Sequence, residues 1–176
     1  MAAEGQRRQG LPLGGRGSGR GPRRSPAPVR SDVIYLDSSC LLKLLLSEPE
    51  SEAVGQAVAR EGDVVVSALT ELETAVHLRA GRLGAAFGER RYRAYRDRLE
   101  EFRGVDPFRF MPLPGTVFQA ALRQQRKARQ PHCSTLDRLH LAAMEELGLH
   151  RLMTNDIAQA AGARGLGFEV LRPGHP

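Results

Sequence analysis

The sequence has few of the residues that support a disulfide-stabilised or membrane-spanning protein. Its 176 residues include only two cysteines and no tryptophan. Two cysteines cannot form a disulfide scaffold, and no apolar run approaches the roughly 18 residues that a transmembrane helix requires. We therefore expect a reduced, soluble, cytoplasmic protein with no membrane association.

The net charge of +6 is unevenly distributed along the chain. The first 30 residues carry seven arginines against one glutamate, whereas the other 146 residues carry 19 of each sign. The many glycines and prolines of residues 1–30 predict a disordered basic tail. Its run GGRGSGRGPRR is similar to arginine–glycine RNA-binding arms, and a solvated tail or an over-long start of the reading frame explains it at least as well. Residues 31–176 are expected to form one domain.

Short apolar runs alternate with helical patterns from residue 33 onward. Five runs rich in strand-forming residues are predicted as strands, at 33–37, 63–67, 108–113, 151–155 and 168–171. Helices are predicted at 38–46, 48–61, 68–81, 85–102, 116–129, 135–148 and 156–165. This alternation predicts an α/β fold in which helices cover both faces of a central, mainly parallel sheet of about five strands.

Two acids follow predicted strands. Asp37 ends the first strand and Asp156 follows the fourth. In an open α/β sheet, ligands bind beyond the carboxyl ends of the strands. The two carboxylates can therefore meet if these strands are neighbours, although an acid in either place is also a common helix cap.

Two further acids lie on the inward faces of predicted helices. Glu73 falls within an apolar stripe of the helix that begins at Ala68, whereas Glu71 falls on the opposite side. The stripe consists of Leu69, Leu72, Val76 and Ala80. Asp137 shares a helix face with Leu141 and Met144, although it also lies close enough to its helix N-terminus to be a partly solvated first-turn acid.

The four acids form a donor set suited to a hard divalent cation. They provide carboxylate oxygens without histidine or cysteine, which favours Mg²⁺ or Mn²⁺ over zinc. A bound cation would also relieve the mutual repulsion of the carboxylates.

Four segments together resemble a known family. They read YLDSSCLLKLLLSEPES, VVVSALTELETAVHLR, STLDRLHLAAMEELG, and LMTND followed by AAGARGLGFEVL. In this order and at this spacing they resemble PIN-domain proteins of the VapC type, the toxin half of bacterial toxin–antitoxin pairs. The resemblance implies a small three-layer α/β/α sandwich and a metal-dependent endoribonuclease. It also implies RNA as the substrate, a homodimer, and inhibition by a cognate VapB-type antitoxin.

The resemblance also implies roles for individual residues. The acids that match the family pattern, as catalytic residues and metal ligands, are Asp37, Glu73, Asp137 and Asp156. Ser39 and Thr154 match small hydroxyl positions that support the metal site. Arg138 departs from the family, which commonly has a small residue there, so we consider it an RNA-contacting candidate or a solvated side chain.

Two basic segments are candidate RNA contacts. Arg123, Arg126 and Lys127 lie in a stretch without acids, RQQRKARQ, for which a solvated helix face is the alternative. The helix ERRYRAYRDRLEEF interleaves arginines with Tyr92 and Tyr95, a pattern that suits single-stranded RNA. Helix-face ion pairs and packed tyrosines explain the second segment equally well.

Histidine and cysteine do not complete a metal site in this sequence. His140 lies on an apolar helix face and is interpreted as a satisfied core histidine. His132 and Cys133 lack the second ligand pair that a tetrahedral zinc site needs.

Two competing functions remain. A haloacid-dehalogenase-type phosphatase also ends its first strand in an aspartate, but it needs a second aspartate at position 39, where this sequence has serine. A non-catalytic PIN-like module that binds RNA or protein is the other alternative, and retention of all four acids counts against it.

Overall fold

The computed structural model describes residues 30–127 and 133–175. The strands are β1 (Arg30–Leu36), β2 (Asp63–Ser67), β3 (Phe108–Met111), β4 (Leu149–Met153) and β5 (Glu169–Leu171). The α-helices are α1 (Ser38–Leu45), α2 (Ser51–Val58), α3 (Ala68–Leu83), α4 (Glu89–Glu101), α5 (Val117–Lys127), α6 (Thr135–Leu147) and α7 (Ile157–Gly165). A single 3₁₀ turn, Phe102–Gly104, follows α4.

The strands of the described residues form one parallel sheet in the order β3-β2-β1-β4-β5. The predicted α/β architecture is therefore confirmed. Because β1 lies between β2 and β4, the segments that follow these three strands meet at one edge of the sheet. None of the helices in the described ranges is long and apolar enough to cross a membrane.

Each face of the sheet carries its own apolar core, because strand residues alternate between the two faces. The core on the α1–α4 side includes Ile34, Leu36, Leu41, Val54, Leu78 and Leu99. The core on the α5–α7 side includes Val33, Tyr35, Val117, Leu141 and Ala163. Helices on both sides of the sheet give the expected three layers.

Some helix boundaries differ from the prediction, and local backbone geometry explains the differences. The second helix begins at Ser51 and not at residue 48, because Glu50 adopts a left-handed conformation with φ of 65°. The fourth helix begins at Glu89 and not at residue 85, because Ala85 has a φ of 59° and Gly88 is the helix N-cap. Neither left-handed residue can continue a right-handed helix.

The stripe predicted on α3 is wrong except for Leu69, which is buried. Leu72 is 60% exposed and Val76 is 58% exposed. The buried face instead includes Thr70, Thr74 and Leu78, and it packs towards α1 and α4. Both threonines are buried without an unpaired hydroxyl, because Thr70 donates to the Leu36 carbonyl and Thr74 donates to the Thr70 carbonyl.

Two predictions fall on parts of the chain outside the described residues. They are the disordered state of the tail up to residue 29, and the continuation of the fifth predicted helix through residues 128 and 129.

Truncation of Leu141 tests the core on the α5–α7 side. Leu141 is fully buried, so Leu141→Ala is expected to lower the free energy of unfolding by about 2–5 kcal/mol through lost burial and a residual cavity. Leu83→Ala is a control, because Leu83 is 70% exposed and the expected change is within about 0.5 kcal/mol. Urea denaturation measures both, and equal effects would contradict the packing.

Candidate metal centre

An acidic cleft lies at the edge of the sheet where β1, β2 and β4 end. Its volume is about 460 Å³. Six carboxylates line it, from Asp37, Glu48, Glu50, Glu73, Asp137 and Asp156. Its only lysine among the described residues is Lys43, whose ammonium lies 2.9 Å from Glu50 and 3.5 Å from Glu48. The cleft therefore carries an excess of negative charge.

Asp37 is the most deeply placed acid of the cleft. It is only 3% exposed and is the N-cap of α1. One carboxylate oxygen, Oδ2, accepts hydrogen bonds from the Ser39 hydroxyl at 2.8 Å and the Thr154 hydroxyl at 2.9 Å. The other oxygen, Oδ1, accepts from the Gln159 side-chain amide at 3.2 Å. A buried carboxylate is tolerated because donors from three elements satisfy it.

The two hydroxyls also fix the segment that follows β4. The Ser39 hydroxyl accepts from the Asn155 backbone N–H at 3.0 Å. The Thr154 hydroxyl accepts from the Asp156 backbone N–H, also at 3.0 Å. Ser39 and Thr154, predicted as supporting residues, thus join the end of β1 to the end of β4.

Glu73 reaches the cleft from the second turn of α3. Its carboxylate Oε2 lies 2.5 Å from Nε2 of His140 on α6, and its side chain is 15% exposed. Burial disfavours the charged form, but the hydrogen bond with His140 and the positive charge of that ring when protonated outweigh it. Together they hold the pKa of the Glu73 carboxyl below its ordinary value.

The structure brings two of the four predicted acids into direct proximity. One ligand atom each from Asp37, Glu73 and His140 lie within 4.8 Å of one another. Asp137 and Asp156 line the same cleft but do not belong to this cluster of described residues.

Helix capping places Asp137 and Asp156. Asp137 Oδ2 accepts from the Ser134 N–H at 2.8 Å in the capping box of α6. Asp156 Oδ1 accepts from the Gln159 N–H at 2.7 Å as the N-cap of α7. Both residues are therefore helix-terminal acids, which was the alternative predicted from the sequence. Both also line the cleft.

The predicted basic contacts do not line the cleft. Arg123 is exposed and pairs with Glu146 at 2.8 Å and Glu145 at 3.2 Å. The prediction that Arg138 contacts RNA or is solvated is corrected, because the residue is only 7% exposed and lines a separate groove between α5 and α6. Arg126 and Lys127 are exposed at the end of α5 and remain predicted contacts.

The arginine- and tyrosine-rich helix is α4. Tyr92 and Tyr95 pack against the core on the α1–α4 side. Arg93 forms an ion pair with Glu89 at 2.9 Å. These contacts favour the structural alternative for this helix over a surface for stacking bases.

Three side chains around the site were not predicted from the sequence to take part in it. Gln159 donates to Asp37, His140 contacts Glu73, and Tyr35 contacts His140. His140 lies in the core, as the sequence predicts, where it is 1% exposed with both ring nitrogens paired. The sequence signal for these contacts was the position of Tyr35 inside the apolar predicted strand 33–37, since a buried tyrosine needs a partner for its hydroxyl.

Both cysteines are buried. Burial raises the pKa of the Cys40 thiol to about 12, and it also raises the pKa of the Cys133 thiol. Cys133 is 3% exposed and lies outside the cleft.

Substitution of Thr154 tests the link between the strand ends. Thr154→Val keeps the shape but leaves the Asp156 N–H unpaired and takes one donor from Asp37. We expect a loss of about 1–3 kcal/mol in the free energy of unfolding. Thr135→Val, at an exposed position on α6, is the control. Equal, near-zero effects in urea denaturation would show that the Thr154 hydroxyl is dispensable.

The lowered pKa of Glu73 predicts that part of the free energy of unfolding depends on pH. Its pKa is lower in the folded state, so its ionised form stabilises the fold above the ordinary glutamate range. This contribution is lost as the pH falls through the lowered value. The stability difference between wild type and Glu73→Gln should therefore shrink in acid, measured by urea denaturation in metal-free buffers. A difference that grows on acidification would contradict the assignment.

Comparisons with known proteins identify the family. The PIN domain family model matches residues 34–164. Ribonuclease VapC46 of Mycobacterium tuberculosis (strain ATCC 25618 / H37Rv) is 35% identical over 143 residues, which cover 80% of this chain and 98% of the relative.

Solved structures share the fold at low sequence identity. The crystal structure of Mycobacterium tuberculosis VapC20, a Sarcin-Ricin loop cleaving toxin, has a TM-score of 0.60 at 19% identity and covers 80% of this chain and 99% of that one. A toxin-antitoxin complex from Klebsiella pneumoniae has a TM-score of 0.54 at 17% identity and covers 81% and 99%. With the family model and the mycobacterial relative, these matches show that the chain belongs to the PIN-domain family, in its VapC-type group.

Proposed function

We propose that this protein is a divalent-metal-dependent endoribonuclease and the toxin half of a toxin–antitoxin pair. The observation that carries the proposal is the proximity of two carboxylates in the acidic cleft. A carboxylate oxygen of the buried Asp37 lies within 4.8 Å of one from Glu73. The identity to a relative named as a ribonuclease supports the reaction class. Such an enzyme would act on RNA in the cytoplasm.

The residues present suit Mg²⁺ or Mn²⁺. Asp37 and Glu73 supply carboxylate oxygens, which are the ligands that these hard cations prefer. Asp137 and Asp156 each use one oxygen in a capping bond. Their other oxygens have no hydrogen-bond partner among the described residues and would complete the ligand set. A bound divalent ion would supply an activated water and stabilise negative charge on the phosphate.

The chain's own residues have distinct tasks in this proposal. Asp37 is held in one orientation by its three side-chain donors, so it presents a fixed charge to the cleft. Asp156 lines the cleft and is the most exposed of the four acids. Arg126 and Lys127 are exposed cations that would contact the RNA phosphates outside the cleft.

Activity measurements on charge-neutralising variants test this proposal. Asp37→Asn and Glu73→Gln are each expected to lower the rate of RNA cleavage at least about 100-fold, since each removes a charge that would hold the metal. Asp156→Asn is expected to have a smaller effect. The assay uses end-labelled total RNA with purified protein in Mn²⁺ or in EDTA.

Asp97→Asn is the matched control, because Asp97 is an exposed acid on α4 outside the acidic cleft. It should cleave like the wild type. Full activity of Asp37→Asn, or cleavage that persists in EDTA, would overturn the proposed metal-dependent mechanism. A wild-type protein that cleaves no RNA with Mn²⁺ would favour a non-catalytic binding module.

We also propose that a VapB-type antitoxin covers the acidic cleft. The excess of carboxylates there would attract a basic segment, with an arginine inserted among them. The Klebsiella pneumoniae structure is a toxin-antitoxin complex of the same fold. A structure of the complex with the cleft open would contradict this arrangement.

Homodimer formation is the third part of the proposal. Two pairs of large apolar side chains, each spaced four residues apart on one helix, are exposed to solvent. They are Leu72 and Val76 on α3 and Phe118 and Leu122 on α5. Exposed apolar clusters of this kind are typical of protein interfaces.

Replacement of the α5 pair tests the dimer. Sedimentation equilibrium is expected to give twice the chain mass for the wild type, and the monomer mass at the same concentration for the Phe118→Ser, Leu122→Ser double variant. Arg91→Ser, at an exposed position on α4, should leave the mass unchanged. A wild-type protein that is monomeric at all concentrations would refute dimerisation.

A further inference from the structure

The Glu73 carboxylate is held by a histidine from the other side of the sheet. Glu73 lies on α3, which packs on the α1–α4 side, whereas His140 lies on α6 among the residues of the opposite core. Their contact, 2.5 Å between Oε2 and Nε2, is formed by a ring that is 1% exposed. The same nitrogen lies 3.7 Å from Asp37 Oδ1, so His140 lies between the two acids and the protein interior.

The second ring nitrogen is anchored to the sheet. His140 Nδ1 lies 2.7 Å from the Tyr35 hydroxyl, which in turn lies 2.6 Å from the Ser67 hydroxyl. The Ser67 hydroxyl accepts from the Thr70 backbone N–H at the start of α3. Tyr35, Ser67 and Thr70 are all fully buried. A continuous buried hydrogen-bond chain therefore fixes the imidazole from behind.

The donor and the acceptor of the hydrogen bond between His140 and Glu73 follow from which atom can carry the proton. An ionised carboxylate can only accept, so Nε2 carries the proton and donates to Oε2. The lone pair of Nε2 is then unavailable to a cation. The other nitrogen, Nδ1, faces the tyrosine hydroxyl and not the cleft. His140 therefore has no free nitrogen to offer a metal, although its ring lies within reach of Asp37 and Glu73.

We propose that His140, fixed by Tyr35, is a positioning residue that holds the Glu73 carboxylate in place for the metal and is not a metal ligand itself. This inference rests on the proposed function, because it takes Glu73 to be a ligand. Glu73 needs such support: it has three rotatable side-chain bonds, and its helix neighbour Leu72 is exposed. Outer hydrogen-bond partners of metal ligands change metal affinity by about 10–100-fold when they are removed.

Calorimetric titration of the full-length protein with Mn²⁺ alone tests the inference. His140→Leu removes the donor and is expected to weaken Mn²⁺ binding by about 10–100-fold. Tyr35→Phe removes only the anchoring hydroxyl and should weaken binding by a smaller factor. His140→Gln retains an N–H donor and is expected to restore most of the affinity. His150→Leu is the control, because His150 is exposed at the opposite end of the sheet, and it should bind like the wild type.

Spectroscopy separates a positioning residue from a ligand. Electron spin echo modulation of bound Mn²⁺ is expected to lack the nitrogen coupling of a directly coordinated imidazole. A clear nitrogen coupling in the wild type that disappears in His140→Leu would overturn the inference. Unchanged Mn²⁺ affinity in both His140→Leu and Tyr35→Phe would overturn it as well, and Tyr35→Phe, which keeps the ring, guards against misfolding of the leucine variant.

Glu73→Gln distinguishes failure of the inference from failure of the proposed function. If Glu73→Gln weakens Mn²⁺ binding and His140→Leu does not, only the positioning role of His140 is refuted. If Glu73→Gln binds Mn²⁺ as tightly as the wild type, Glu73 is not a ligand. The proposed metal site and the inference then both fail.

Discussion

The burial of the Asp37 carboxylate is the constraint on which the rest of the site depends. A charged group that is 3% exposed must find its donors within the protein, because the cost of leaving it unpaired is several kcal/mol. Those donors come from α1, from the end of β4 and from α7. Satisfying one carboxylate thus requires β1 and β4 to be adjacent and in register, as the sheet order shows.

The topology explains why acids so distant in the sequence share one cleft. In a parallel sheet all carboxyl ends lie at one edge, so the residues after β1 and β4 and the N-terminus of α3 after β2 converge there. The N-terminus of α6 reaches the same edge because this helix leads back to the beginning of β4. Three of the four acids begin helices, where backbone N–H groups and the helix dipole favour negative charge. The fold itself therefore offsets part of the repulsion among these carboxylates.

The sequence was sufficient to predict the secondary-structure elements and the convergence of four acids on one cleft, but it was insufficient to predict the contacts of those acids. Strand positions were predicted well because buried parallel strands are short, continuous apolar runs, as in residues 63–67. Asp37 and Asp156 were found because they directly follow such runs. Glu73 was selected for a reason that the structure corrects, since Leu72 and Val76 of its supposed apolar stripe are exposed. Periodicity identified one helix face as buried, and paired threonine hydroxyls allowed a different face to be buried instead.

The contacts missed from the sequence all join residues far apart in the chain. The hydrogen bond from Gln159 to Asp37 spans 122 positions, and the contact between His140 and Glu73 spans 67. No local pattern encodes such pairs, because they depend on how the helices pack on the finished sheet. Arg138 illustrates the same limit: the sequence suggests a basic surface residue, but Arg138 is buried where α6 packs beside α5.

Glu73 differs from the other three acids in how it is held. Asp37, Asp137 and Asp156 each accept a backbone N–H at the start of their own helix, so local structure orients them. Glu73 lies in the second turn of α3, where the backbone N–H groups are already used within the helix. Its orientation must therefore come from another element. His140 on α6 provides this contact, and the buried Tyr35 on β1 fixes the histidine ring. The one acid without a hydrogen bond from its own helix N-terminus is therefore oriented by a side chain of the core.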